Sequence, residues 1–189
     1  MRVAGVKAKI DRAAVDLFAA RGVDGVSIAE IAAAAEVSQG ALYRHYRSKE
    51  ELAERLFSLA YRRTGAELTV LVGAEIGFAA RIGAMVAHFC ALYDHDAALF
   101  RFMLIAQHNL LPRIDSEDAT PVAVIETAIA EAVSDREIGA VDPVIAAAAI
   151  MGIVLQTALF HVYGRITGAL SPHAPALARA AIAAVTALP

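Results

Sequence analysis

Apolar residues recur along this chain at intervals of three and four, and strict two-residue alternation is missing, so every element the pattern predicts is a helix. The first runs from Lys7 to Arg21, with Ile10, Ala13, Ala14, Leu17 and Phe18 on one face and Gly22 as its C-cap. Ile28, Ile31, Ala32 and Ala35 form a second, shorter stripe, with Val37 as an apolar plug in the turn after it. A third short helix starts after Ser38 and runs to about Tyr46, its Leu42 and Tyr46 turned to the core. From Ser48 a long helix extends to about Val70 on Leu52, Leu56, Leu59 and Ala60, and Gly73 and Gly77 mark the joint after it.

The remainder continues the same period. Phe78 to Tyr93 is a helix through Ile82, Met85, Val86 and Phe89, and Asp94, His95 and Asp96 break and recap the chain. In the stretch Ala97 to His108, residues Leu99, Phe100, Phe102, Met103, Leu104 and Ile105 leave almost no polar face, which predicts burial on most sides. Asn109 to Thr120, with Pro112, Asp115, Glu117 and Asp118, reads as an exposed loop. Pro121 opens a helix with Val122, Ile125, Ile129 and Val133 inward. Asp142 and Pro143 cap another, uncharged as far as Arg165, and Ser171, Pro172 and Pro175 start a last one on Ala178, Ala181, Ile182, Val185 and Leu188. Length alone would let the uncharged helix span a membrane. Its alanines, Gln156 and His161, and the lack of a flanking basic cluster, favour burial between its own domain and a partner.

The stretch Ser27 to Lys49 carries the candidate chemistry. Ser27 and Glu30, and again Ser48 and Glu51, have the spacing of a capping box, and Ser38 is a good N-cap, which together predict helix, tight turn, helix. The outer face of the second of these helices is small and polar, with Ser38, Gln39, Gly40 and Ala41 at its start and Tyr43, Arg44 and His45 further along. Gly40 costs a helix roughly 1 kcal/mol against alanine, which close approach of another surface would explain. Lys49 opens the next helix, where free N–H groups and an ammonium would meet a phosphate together. Taken singly, Tyr43, His45 and Lys49 read equally well as a solvated face. Their agreement with the caps and the turn plug is what makes them a motif.

The segment VSQGALYRHYRSKEEL, with SIAEIAAAAEVS before it, resembles the DNA-binding domain of TetR-type transcriptional repressors. The resemblance implies that Ser27, Tyr43, His45 and Lys49 touch the DNA backbone and that Ser38, Gln39, Gly40, Ala41 and Arg44 face the bases. Ser27 stands where the family more often has threonine, and Tyr46 where it more often has phenylalanine; both exchanges keep the chemistry. Gln39 can bond adenine bidentately or a phosphate, which leaves the operator open. The expected architecture is all-α: residues 1–47 a three-helix helix-turn-helix domain, 48–70 a connecting helix, and 71–189 a helical effector-binding and dimerisation domain. The last two helices are expected to form a four-helix interface in a homodimer that reads a palindromic operator on double-stranded DNA.

Composition changes this picture in three places. Net charge is −3, but eleven Lys and Arg face eight Asp and Glu up to Arg63 and six face twelve after it, so the basic excess lies where DNA would. One cysteine, Cys90, excludes an internal disulfide and suits a cytoplasmic site. The start, MRVAGVKAKIDRAA, turns charged too soon for a secretory signal. Phe89, Tyr93, Phe102, Met103, His108, Gln156 and Phe160 combine apolar bulk with polar handles and are the candidate lining of an effector pocket for a mostly apolar or uncharged small molecule. The expected function is a repressor released from its operator by such an inducer. The alternatives are a DNA-binding dimer without effector, a helical enzyme, or a membrane-associated protein. Against an enzyme, no histidine has a glutamate three residues before it, and His88 and Cys90 fall on different helix faces. No motif asks for a metal or a cofactor.

Overall fold

The computed structural model describes residues 2–113 and 120–188, of which the side chains of 2–4 are left aside. The chain forms α1 (Arg2–Arg21), α2 (Ile28–Ala34), α3 (Gln39–Tyr43), α4 (Lys49–Ala74), α5 (Phe78–His95), α6 (Ala97–Leu110), α7 (Pro121–Ser134), α8 (Pro143–Val162) and α9 (Ala174–Thr186). Turns of 3-10 helix lie at Leu111–Arg113 and Ser171–His173, and no strand occurs among the described residues. These residues group into two units, one holding everything up to residue 60 together with 98–113, the other holding 61–97 and 120–188. Helix α4 therefore runs through both.

In the first unit α1 begins at Arg2 rather than Lys7, since between them only Gly5 disfavours a helix, by about 1 kcal/mol. It stops at Gly22, whose φ of +72° is open to glycine and whose N–H donates to the Phe18 carbonyl at 2.8 Å. Ile10, Ala14, Phe18, Ile31, Leu42, Tyr46, Leu52 and Phe57 are buried together with Phe102 of α6. Phe102 has Phe18 at 5.6 Å between ring centroids and Phe57 edge-on at 6.5 Å. Two expectations fail here. Leu59 is 65% exposed, because the buried seam of α4 follows steps of four through Leu52, Leu56 and Ala60 and winds away from a residue seven beyond Leu52. And α6 is buried on one side only: Phe100, Phe102, Ala106 and Leu110 point in, Leu99, Met103 and Leu104 are half-buried, and Ile105 and His108 are exposed. Of the expected loop after it, Asn109 and Leu110 finish α6 and Pro112 sits in the 3-10 turn, while 114–119, with Asp115, Glu117 and Asp118, lie outside the described residues.

In the second unit Gly73 lies inside α4, and the joint is Gly77, at φ +88°. Helix α5 starts there without a side-chain cap of its own. Glu137 supplies one from 59 residues away, its carboxylate accepting the Phe78 N–H at 2.5 Å. Glu137 is held for this by the end of α7, where left-handed Arg136 lets the Glu137 N–H return to the Ala132 carbonyl at 2.9 Å. Helix α7 begins as expected, on the Thr120 hydroxyl and Pro121. It buries Ile125, Ala128, Ile129 and Ala132, leaving Val122 and Val133 half-buried because smaller alanines fill the centre of the contact. Cys90 is buried on α5, and burial pushes its thiol above the usual range.

Helix α9 packs on α5 and α8. The segment before it is tied to α5 by Asp94, whose carboxylate accepts the N–H groups of Leu170 at 2.7 Å and Ser171 at 2.9 Å and the Ser171 hydroxyl. In α9 Ala178, Ala181 and Val185 are buried as expected, and Ile182 and Leu188 half-buried. Helix α8, capped by Asp142 to the Val144 N–H at 2.8 Å, buries Ala146, Ala147, Ile150, Val154 and Ala158. Its other side is open: Val144, Ile145, Gly152, Gln156, Phe160 and Tyr163 are exposed, and only 28% of its most apolar stretch is buried. By length and composition it is the one helix among the described residues able to cross a membrane.

Candidate nucleic-acid interface

The turn between α2 and α3 is built by local hydrogen bonds. Ser27 and Glu30 form the full capping box, the serine hydroxyl accepting the Glu30 N–H at 3.3 Å while the carboxylate accepts the Ser27 N–H at 2.8 Å. Val26 and Ile31, before and inside the cap, are both buried at staple spacing. Helix α2 ends on Glu36, left-handed at φ +56°, with the Val37 N–H returning to the Ala32 carbonyl at 2.9 Å. A glutamate in that conformation gives no sequence signal, since glycine or asparagine is the usual choice. Ser38 then caps α3, its hydroxyl accepting the Ala41 N–H at 3.1 Å.

Helix α3 stops at Tyr43 instead of near Tyr46. The Leu42 carbonyl accepts from both His45, at 2.9 Å, and Tyr46, at 3.1 Å, and this tightened turn sends the chain on to Ser48. The second capping box is half formed. Ser48 accepts the Glu51 N–H at 3.1 Å, but the Glu51 carboxylate reaches one residue further back, to the Arg47 N–H at 2.6 Å. Tyr46 anchors the segment: its ring is buried and its hydroxyl donates to Asp11 on α1 at 2.5 Å, with Lys7 5.3 Å and Arg55 6.0 Å from the ring centroid. Burial first, then Asp11, raises the phenol above its usual range. A phenylalanine could not make that bond, so the exchange at Tyr46 adds a tie rather than merely keeping the chemistry.

The expected contact residues are all at least partly accessible. Ser38, Gln39 and Gly40 are exposed, Ala41 is half-buried, Tyr43 is 52% exposed, Arg44 is exposed, and His45 and Lys49 are half-exposed. The side chains of Gln39, Tyr43, Arg44 and His45 have no hydrogen bond or ion pair to the described residues, and Arg47, which the sequence pattern did not single out, is exposed beside them. Three other basic groups of the region are taken up: Lys7 by Asp11 at 2.7 Å, Arg21 by Glu30 at 2.8 Å, Lys9 by Glu36 at 3.4 Å. Ser27 differs from the rest. Its hydroxyl proton is donated to Glu30 at 2.7 Å, so a phosphate contact there requires that proton to leave the carboxylate.

Two tests follow from this geometry. The Ser27 hydroxyl first, then Arg21 and the Ser27 N–H, hold the Glu30 carboxyl at about 2 against an ordinary 4.5. A folded value below the unfolded one stabilises fully above the unfolded value and is lost as pH falls through the folded one. Glu30→Gln should therefore lower Tm at neutral pH, with the gap to the parent protein closing as melts are taken from pH 5 toward pH 2. The second test concerns Gly40, where an added Cβ would meet only the Ser38 hydroxyl oxygen, at 4.0 Å. Gly40→Ala should raise stability by up to about 1 kcal/mol in chemical denaturation. If the residue lies against DNA, the same change should weaken duplex binding.

Phe89 and Tyr93 are core of the second unit, and the Tyr93 hydroxyl is engaged by His161 Nδ1 at 2.8 Å while His161 Nε2 donates to the Gly168 carbonyl at 2.5 Å. Phe102, Met103 and His108 belong to the first unit, and Gln156 and Phe160 lie on the open side of α8. Of the seven candidate pocket residues, Phe102 lines a described cavity. No group of three or more His, Cys, Asp or Glu able to hold a metal occurs among the described residues.

Residues 10–56 match the family model of bacterial regulatory proteins, tetR family. An HTH-type transcriptional repressor of Mycobacterium tuberculosis is 39% identical over 70 residues, 37% of this chain and 35% of that protein. The match thus spans about a third of the length of the relative. Two solved structures share the fold over nearly the whole chain. FadR of Bacillus subtilis in complex with stearoyl-CoA superposes with a TM-score of 0.77 at 17% identity, covering 93% of this chain and 97% of its own. AibR in complex with isovaleryl coenzyme A and operator DNA gives 0.69 at 21% identity, covering 96% and 98%.

Proposed function

We propose, from the match of residues 10–56 to the family model of bacterial regulatory proteins, tetR family, that this chain is a sequence-specific transcriptional regulator. It acts in the cytoplasm as a homodimeric repressor that a small molecule releases from DNA. The observation that carries the reading is the surface of α3 and the turn after it, where Gln39, Tyr43, Arg44 and His45 stand exposed or half-exposed with no partner among the described residues. Side chains that fold into no local network are available to bases and phosphates. Gln39 and the small residues Ser38, Gly40 and Ala41 read base edges, and Tyr43, His45 and Lys49 hold phosphates.

The open side of α8 supports dimerisation. An uncharged helix with an apolar side left open by its own unit is covered by the same helix of a second copy, with α9 beside it. Two recognition helices related by that two-fold meet a palindromic site with half-sites roughly 34–36 Å apart or a multiple of this. For release, the inducer must bind the non-operator conformation better, by about 1–3 kcal/mol in typical cases. Solved proteins of this fold with stearoyl-CoA and isovaleryl coenzyme A bound make a coenzyme A thioester the first ligand class to try.

Selection of bound sequences from random duplex DNA tests the reading, because it reports preference, palindromy and half-site spacing together. No enrichment over bulk competitor would overturn it. Thermal shifts with coenzyme A thioesters, repeated with the selected operator present, test the inducer. A ligand that stabilises the free protein and loses part of that effect on the operator complex is the expected result.

A further inference from the structure

The first unit contains a cavity of about 360 Å³, walled by the end of α1 and the turn after it, the first two turns of α4, and α6. That volume is at the small end of the range for small-molecule sites, roughly 300–1,000 Å³. Its floor is apolar, with Phe102 and Ala106 buried and Ile105 exposed at its mouth. Its rim carries Arg21, Asp24, Glu50 and Arg113. The two arginines are already neutralised, Arg21 by Glu30 at 2.8 Å and Arg113 by Glu54, and neither of those glutamates lines the cavity. Of the two acids, only Asp24 lacks a counter-ion. Asp24 has no hydrogen bond or ion pair to the described residues. Glu50 is held by its own backbone N–H and the Ser48 side chain, with Lys49 as its cationic neighbour, and stays ionised below the usual carboxylate range.

We propose that this cavity binds a small organic monocation with an apolar body, its ammonium between Asp24 and Glu50 and its hydrocarbon against Phe102, Ala106 and Ile105. An anionic ligand would have to pull an arginine from its glutamate, whereas a cation meets the unpaired Asp24 carboxylate directly and shares Glu50 with Lys49. The desolvated floor selects against small hydrophilic cations such as free lysine. None of the residues assigned to DNA lines the cavity, so the proposal stands apart from the regulatory reading.

The test uses one ring system with three head groups. 1-Naphthylmethylammonium, 1-naphthylmethanol and 1-naphthylacetate are titrated into the full chain by calorimetry at fixed ionic strength, with amide shifts followed by NMR. The cation should bind at least tenfold more tightly than either of the others, and the largest shifts should fall in 21–24, 50–53 and 102–113. Asp24→Asn with Glu50→Gln should remove at least tenfold of that preference. Because loss of Glu50 also alters the start of α4, Asp24→Asn alone is measured too and should remove several-fold. Asn109→Trp, at an exposed lining position, should weaken all three ligands by obstructing the mouth. Lack of saturable cation binding, equal binding of the acetate, shifts centred elsewhere, or an unchanged preference in the acid-to-amide variants would each overturn the proposal.

Discussion

Phe102→Ala is expected to lower the stability of the first unit by about 3–5 kcal/mol, the usual range for removing a buried aromatic ring. The ring is 1% exposed and has Phe18 and Phe57 as neighbours at 5.6 and 6.5 Å. The loss therefore combines transferred area, an unfilled cavity and an edge-on aromatic contact, the last worth roughly 0.5–1.5 kcal/mol by itself. Phe102→Leu keeps most of the volume and should cost well under half as much. With two units in one chain a single denaturation curve need not be two-state. Native-state hydrogen exchange is the better measurement: protection in α1, α2 and the first half of α4 should fall together. Unaltered protection there would show that α6 does not share a core with them.

The second large effect concerns pairing. Gly152 is exposed on α8, and an added Cβ would meet nothing within 4 Å in the chain itself. Gly152→Glu should therefore leave the isolated protomer folded. In a two-fold α8 interface it would bury a carboxylate without a partner, a cost of about 3–5 kcal/mol for each copy. Every 1.4 kcal/mol is tenfold in an equilibrium constant, so the dimer dissociation constant should rise by at least a factor of about 10⁴. Sedimentation at micromolar concentration should show monomer with unchanged helical circular dichroism, and operator affinity should collapse with it. A variant that remained dimeric would place the interface elsewhere.

What could be read from the sequence was local. The Ser27–Glu30 box, Ser38, Gly22, Pro121 and Asp142 act within a few residues, and each stands where spacing put it. The polar surface of α3 was legible for the same reason. Contacts across long sequence separations carried no such signal. Glu137 caps α5 and Asp94 ties down Leu170 and Ser171 without any motif announcing the pairing. Periodicity also overstated burial on α6, where Ile105 is 41% exposed. The candidate pocket residues were chosen by chemical type, which carries no position in the fold. Ser27 is the subtlest case: the residue is exposed, but its proton is donated to Glu30.

The lone sulfhydryl on α5 gives the chain a built-in clock. Cys90 is 1% exposed, and no other cysteine exists to confuse the reading. A thiol-specific reagent can reach it only when the second unit opens, so the rate of labelling times the breathing of that unit alone. Because the sulfur is also held in its unreactive protonated form, an effector that tightens the unit would register as slower modification before any change on DNA was measured.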